Sequence, residues 1–327
     1  FSNEIIVPFI NPKSKSSETS FSTSTCTVND VKRSFSPGSE WMSLKIYSGN
    51  AEVESLLLSQ LPALLSECER LYENWFFIRY ADPDWHLRLR FKGEPKTLYG
   101  QLLPKLHELL APRLATGELH KIELFTYVRE IGRYGGPTTI ALAEQLFFAD
   151  SRLVLQALSL IETCGEEVRW RTLALQTDRL LELFELTLDE KLQFTSWLRE
   201  GFGAEFGEST QLRRELGSKF KLIEPVLSAD LNHTKLGSNL EPDQIQDRLF
   251  SLVGHWEGCV TSHISKMKQL LNQVSAEGIH GVLASLIHMS NNRMFKAYSR
   301  EQEFVMHDFM RRHYFSLSRR PNNSRDA

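Results

Sequence analysis

Three separate stretches of the chain gather cations that could hold an anion. In FFIRYADPDWHLRLRF (76–91), Arg79, His86, Arg88 and Arg90 stand among Phe76, Phe77, Tyr80, Trp85 and Phe91. In TYVREIGRYGGP (126–137), Arg129 and Arg133 precede two glycines, and Glu130 lies three residues before Arg133. In IHGVLASLIHMSNNRMF (279–295), Ser285, His288 and Asn292 recur at the spacing of one helix side. A guanidinium grips a carboxylate with two parallel hydrogen bonds and stabilises negative charge that grows in a dry site. A histidine titrates near neutrality, which makes it the acid–base candidate in a site otherwise built of arginines. Plainer readings stand beside each of these. The arginine hairpin can be a solvated sheet face, Glu130 and Arg133 an ion pair at a helix end, and His288 a core or capping residue.

Residues two apart in a strand share a face, so His86, Arg88 and Arg90 project together, opposite Leu87, Leu89 and Phe91. Whether Arg79 joins them depends on the hairpin register, which the ADPDW turn does not fix. The alternation of WMSLKIYSG (41–49), ENWFFIRYA (73–81), HLRLRFKG (86–93) and HKIELFTYV (120–128) predicts four strands. Between them, Leu57, Leu61, Leu64, Leu65 and Leu71 mark a helix over 51–72, with Pro62 as a kink or break. Leu98, Leu102, Leu106, Leu109 and Leu110 mark a second helix over 96–114. The order β-α-β-β-α-β is ferredoxin-like, an antiparallel sheet with helices on one face.

After YGGP, where Pro137 suits the first turn of a helix, the chain reads as helical. Leucine-rich runs cover 138–163, 167–186, 189–205, 241–274 and 279–297, while 208–240 reads as partly irregular. The expected class is therefore α+β: a ferredoxin-like sheet in the N-terminal part, then a mostly helical C-terminal part.

With 327 residues, 41% hydrophobic and 24% charged, the chain can bury a full core. A net charge of −3 argues against a nonspecific nucleic-acid binder. Cys26, Cys68, Cys164 and Cys259 are scattered without a CxxC, which suits a reducing cytoplasm. Phosphate-binding glycine loops, a GxSxG elbow and an HExxH helix are absent, and His255 and His263 are too far apart for one ion, so no metal or cofactor is expected. Residues 11–30 hold ten Ser or Thr in twenty positions and read as a linker. The preceding EIIVPF reads as the tail of another domain, so the expected divisions are 1–32, a domain over 33–320, and a disordered tail over 321–327.

Together, WMSLKIY, FFIRYADPDWHLRLRF, the RYGG turn and SLIHMSNNRMF resemble the C-terminal elimination domain of class I lanthipeptide dehydratases, over about residues 38–300. EIIVPF resembles the end of the dehydratase domain before it. The resemblance implies β-elimination of glutamate from glutamylated Ser or Thr of a precursor peptide, leaving dehydroalanine or dehydrobutyrine. It implies catalytic roles at Arg88, Arg133 and His288, and substrate-binding roles as second choices at Arg79 and Arg90. The implied partners are the glutamylated precursor and an N-terminal glutamylation domain of the same polypeptide, with a homodimer plausible by analogy. Two rivals stay open: a stand-alone enzyme that closes the thiopeptide nitrogen ring, and a noncatalytic module that binds acidic precursor residues.

Overall fold

The structure, a computed structural model, describes residues 31–232, 244–271 and 276–319. The expected linker, the EIIVPF segment, the 321–327 tail and positions 233–240 lie outside these residues. The first two strands are β1 (Ser34–Phe35) and β2 (Trp41–Tyr47). After β2 comes a helical stretch built of α1 (Asn50–Ser55), a wide π-helical turn (Leu56–Gln60) and α2 (Leu61–Glu67). Next are β3 (Asn74–Tyr80) and β4 (His86–Lys92). A second helical stretch repeats the design, with α3 (Pro95–Thr97), a π turn (Leu98–Leu102) and α4 (Leu103–Thr116). Strands β5 (Lys121–Leu124) and β6 (Tyr127–Val128) follow.

The four-stranded sheet has the order β3-β4-β2-β5 with every neighbouring pair antiparallel, which is the expected ferredoxin-like arrangement. Two local expectations change. Pro62 neither breaks nor ends its helix, because the π turn just before it widens the backbone. A wider turn accommodates a residue that has no N–H and whose ring would strike the carbonyl four residues back. Pro104 sits after its own π turn in the same way. The expected fourth strand is two: β5 ends at Leu124, and β6 pairs with β1 in a separate two-stranded sheet.

One face of the main sheet carries Leu87, Leu89 and Phe91, all buried beneath the leucine sides of the two helical stretches. Tyr72 fixes this layer, with its ring 5.5 Å from Phe91 and its hydroxyl donating to the Leu65 carbonyl.

The helical part comprises α5 (Ile140–Cys164), α6 (Glu167–Leu183), α7 (Leu188–Phe206), α8 (Thr210–Leu231), α9 (Gln244–Leu271), α10 (Ala276–Met294) and α11 (Ser299–Ser318). Pro137 stands in the turn before α5, two residues ahead of the Thr139 cap, and not in the first helical turn. The stretch read as partly irregular contains α8, capped by the Ser209 hydroxyl and continuous through Pro225. Its exposed side is polar enough to hide the period. None of the leucine runs covers α11, whose buried positions are instead Phe304, Met306, Phe309, Met310 and Tyr314. No helix among the described residues is long and apolar enough to cross a membrane.

Helices α5 and α10 close the outer edge of β3, which would otherwise present unpaired backbone groups. Phe77 N donates to Ser151 Oγ (3.3 Å), and Arg293 Nε donates to Phe77 O (2.9 Å). Asn292 imitates a neighbouring strand: its Oδ1 accepts from Arg79 N (3.0 Å) and its Nδ2 donates to Arg79 O (2.8 Å). This docking sets the position of α10, and with it His288.

Candidate functional site

The register settles which arginines share a face. Phe76 lies opposite Arg90, Ile78 opposite Arg88 and Tyr80 opposite His86, while Arg79 lies opposite Leu87. Arg79 therefore projects to the helix-covered side and does not meet Arg88. It is 5% exposed, pairs with Glu54 of α1 (2.6 Å), and donates from Nε to the Arg293 carbonyl (3.0 Å). Glu54 also binds Arg169 of α6, so Arg79 belongs to a buried ion network that joins sheet to helices.

On the open face, Arg88 is held from two sides. Its Nε donates to His86 Nε2 (3.0 Å), and its guanidinium lies 3.5 Å from the centroid of the Tyr80 ring. His86 Nδ1 in turn donates to the Asp84 carbonyl (2.8 Å). With Nε2 accepting and Nδ1 donating, His86 is the neutral tautomer. Burial depresses its pKa, and the neighbouring charges of Arg88 and Lys45 push the same way. It is thus a support for Arg88 and a poor base.

Arg90 is the anomaly of the sheet. It is 6% exposed and surrounded by rings, with its guanidinium 4.3 Å from Tyr127, 5.3 Å from Phe76 and 5.7 Å from Phe125. Among the described residues it has no ion pair and no hydrogen bond, and its Nε is buried without a partner. Glu130 and Glu144 are close enough to act on it, yet both are taken: Glu130 pairs with Arg133 (3.0 Å), Arg129 reaches Glu144 with Nε (2.7 Å) and Nη2 (2.6 Å), and Tyr127 donates to Glu144 (2.9 Å). Burial lowers the Arg90 pKa to about 10, so the group remains a cation at neutral pH. A buried charge of this kind calls for an anionic guest.

The RYGG turn brings Arg133 to the third element. Arg133 pairs with Glu130 (3.0 Å), as the spacing suggested, and its Nε donates to Ser285 Oγ of α10 (3.3 Å). Its side chain is 37% exposed beside a cavity of about 500 Å3 lined by Arg33, Glu130, Ile131, Gly132 and Arg133. Gly135 makes the turn possible: it has φ +87°, and a Cβ there would sit 2.5 Å from Leu271 Cδ2. His288 follows Ser285 by one helical turn, so it stands on the same side of α10 as the group that receives Arg133. Its Nδ1 is 2.8 Å from Glu303 Oε2 on α11.

Tyr134 links the two halves. Its buried ring is 5.0 Å from Phe147, which is 5.3 Å from Phe76 and so adjoins the Arg90 cage. The Tyr134 pKa is pushed up to about 12, chiefly by burial, and the group lies within electrostatic reach of Arg133, Glu130, Arg293 and Arg90. Arg88 and Arg90 are thus placed together on the sheet, and Arg133 reaches α10 at Ser285, one helical turn before His288, with Tyr134 between. Sequence reasoning missed Tyr134 and Glu303. Tyr134 had a signal in its place between Arg133 and two glycines; Glu303 had none.

The model of the family described as "Lantibiotic biosynthesis dehydratase C-term" matches residues 41–314. The subtilin biosynthesis protein SpaB of Bacillus subtilis is 26% identical over 264 residues, which are 79% of this chain and 24% of SpaB. The tRNA-dependent lantibiotic dehydratase MibB from Microbispora sp. 107891 aligns with TM-score 0.68 at 22% identity, covering 88% of this chain and 29% of MibB. The pyridine synthase TbtD from thiomuracin biosynthesis shares the fold, with TM-score 0.58 at 12% identity over 85% of this chain and 98% of TbtD. The chain spans about a quarter of the length of the curated relative SpaB. By its sequence from Trp41 to Tyr314, this chain belongs to the lantibiotic biosynthesis dehydratase C-terminal family.

Proposed function

We propose that this domain eliminates glutamate from glutamylated Ser and Thr residues of a precursor peptide, leaving dehydroalanine or dehydrobutyrine. A base removes the Cα proton, the C–H electron pair becomes the new Cα=Cβ bond, and the Cβ–O bond breaks onto the departing carboxylate. A carboxylate, whose acid has a pKa of about 4, leaves far more readily than hydroxide. The observation that carries this reading is Arg90, a cation that is 6% exposed, has no ion pair among the described residues and whose buried Nε has no partner, which suits it to receive a carboxylate. Arg88, stacked on Tyr80 and exposed to the same face, supplies a second cation. Arg133 is better placed near the reacting bond, because Ser285 holds it one helical turn from His288. His288 takes the proton through Nε2, since Nδ1 faces Glu303. Arg79 stays outside this scheme, as a part of the framework.

In this reading residues 1–32 connect the domain, over 33–320, to an N-terminal glutamylation domain of the same cytoplasmic polypeptide. The short span of this chain relative to SpaB and MibB supports that organisation. The likeness to TbtD over nearly its whole length favours ring closure as the second reading. Placing His288→Ala in the full-length enzyme separates the readings. Elimination predicts that the precursor accumulates as its glutamyl ester, visible by mass spectrometry. Dehydration at the normal rate would remove His288 from the mechanism and favour a binding module.

A further inference from the structure

We infer that Glu303 is the positioning residue of this site, orienting His288 and stabilising the imidazolium that forms when Nε2 takes a proton. The inference rests on the elimination reading for its rate consequences, though its geometry stands alone. Glu303 lies on α11, fifteen residues beyond His288, and its side chain is 3% exposed. Its Oε2 is 2.8 Å from His288 Nδ1 and 3.7 Å from Arg300 Nη1, and its Oε1 is 3.6 Å from His307 Nε2. Arg300 is divided between this carboxylate and Glu205 of α7. Burial alone would push the Glu303 carboxyl up, but contacts with His288 and His307 outweigh it and hold the pKa to about 2.

An ionised carboxylate accepts hydrogen bonds and cannot donate them. Nδ1 of His288 must therefore carry the proton, which leaves Nε2 with its lone pair as the free basic nitrogen. As Nε2 is protonated, the negative charge already aligned on the opposite side of the ring stabilises the product without rearrangement. The general logic is that of a carboxylate behind a catalytic histidine, where exchanging acid for amide inverts the tautomer and costs on the order of 10⁴-fold in rate. A merely structural role, tying α11 to α10, would need only some hydrogen bond between the two side chains. A glutamine could satisfy that by presenting its amide oxygen or its NH₂ group.

The test uses the full-length enzyme and its Glu303→Gln variant. Conversion of a pre-glutamylated peptide is followed by mass spectrometry, and the ring nitrogens of His288 are read by nitrogen-15 NMR, which reports the tautomer. We expect Glu303→Gln to slow elimination by roughly 10²–10⁴-fold with little change in KM. We expect it also to move the ring proton from Nδ1 to Nε2, because the amide NH₂ can donate to Nδ1 where the carboxylate could only accept. Glu303→Asp keeps the charge and restores the Nδ1–H tautomer with most of the rate. It serves as the second variant if the glutamine protein folds poorly. An unchanged rate and tautomer in the glutamine variant, or an aspartate variant no faster than the glutamine one, overturns the inference. Failure of wild-type enzyme to release glutamate would instead overturn the elimination reading, and the His288 tautomer would still report on Glu303.

Discussion

Arg90→Met should make the protein more stable and less active at once. Burial lowers the folded-state pKa of Arg90 to about 10, so its charged form is penalised by about 3 kcal/mol relative to the unfolded chain at about 1.4 kcal/mol per unit. The penalty is present in full at neutral pH, below both values, and is relieved only as pH rises through about 10. Contacts with Tyr127, Phe76 and Phe125 offset about half of it, at about 0.5 kcal/mol for each cation–ring pair. Methionine keeps much of the aliphatic stem and its own contact with the rings, and brings no charge. A net gain of about 1–2 kcal/mol follows, or a rise of roughly 2–8 °C in the unfolding midpoint of a domain this size. Loss of the carboxylate seat should lower elimination by at least about 10²-fold. Thermal unfolding of both proteins, with mass spectrometry of the precursor, measures the two effects together. A lower midpoint with elimination intact would refute the reasoning, because Arg90 would then be serving the fold and not a ligand.

Three other perturbations test neighbouring parts of the account. Tyr80→Leu removes the ring that stacks on Arg88 at 3.5 Å, a contact worth about 0.5–1 kcal/mol at an exposed site. Elimination should fall a few-fold while the unfolding midpoint drops by no more than about 2–4 °C. Asn292→Leu leaves the Arg79 backbone N–H and C=O without partners at the edge of β3, costing about 2–4 kcal/mol in denaturant unfolding. It should also slow elimination by shifting α10 and the His288 it carries. His86 is held neutral with its pKa below the ordinary 6.5, so the unfolded chain takes up the proton first as pH falls. Wild type should therefore lose more stability than His86→Gln as pH drops below about 6.5.

Strand order and the βαββαβ arrangement were legible because apolar alternation and leucine spacing are local signals. Register was not, since the Asp82–Trp85 turn specifies no pairing and a slip of one residue exchanges the two faces. Arg79 shows the consequence: it shares a hairpin and a residue type with Arg88, yet its partner is Glu54 on the covered side. The proposed catalytic residues Arg88, Arg133 and His288 were picked out by the family resemblance among several arginines and histidines of similar context. Arg90, a second choice in the sequence, moved to the front when Glu144 proved to be occupied by Arg129 and Tyr127. Glu303 was invisible because its pairing with His288 spans two helices, and α11 itself lacks the leucine period that marked the others. Helix α8 escaped for a related reason, as Pro225 and a lysine- and arginine-rich exposed side mask its few buried positions.

The most direct measurement gives the enzyme a peptide that already carries a glutamyl ester on one serine. Free glutamate and the modified residue are then followed by mass spectrometry. The account predicts one glutamate released for each dehydroalanine formed, with release lost in His288→Ala. Persistence of the ester with wild-type protein, or its hydrolysis back to serine, would contradict it.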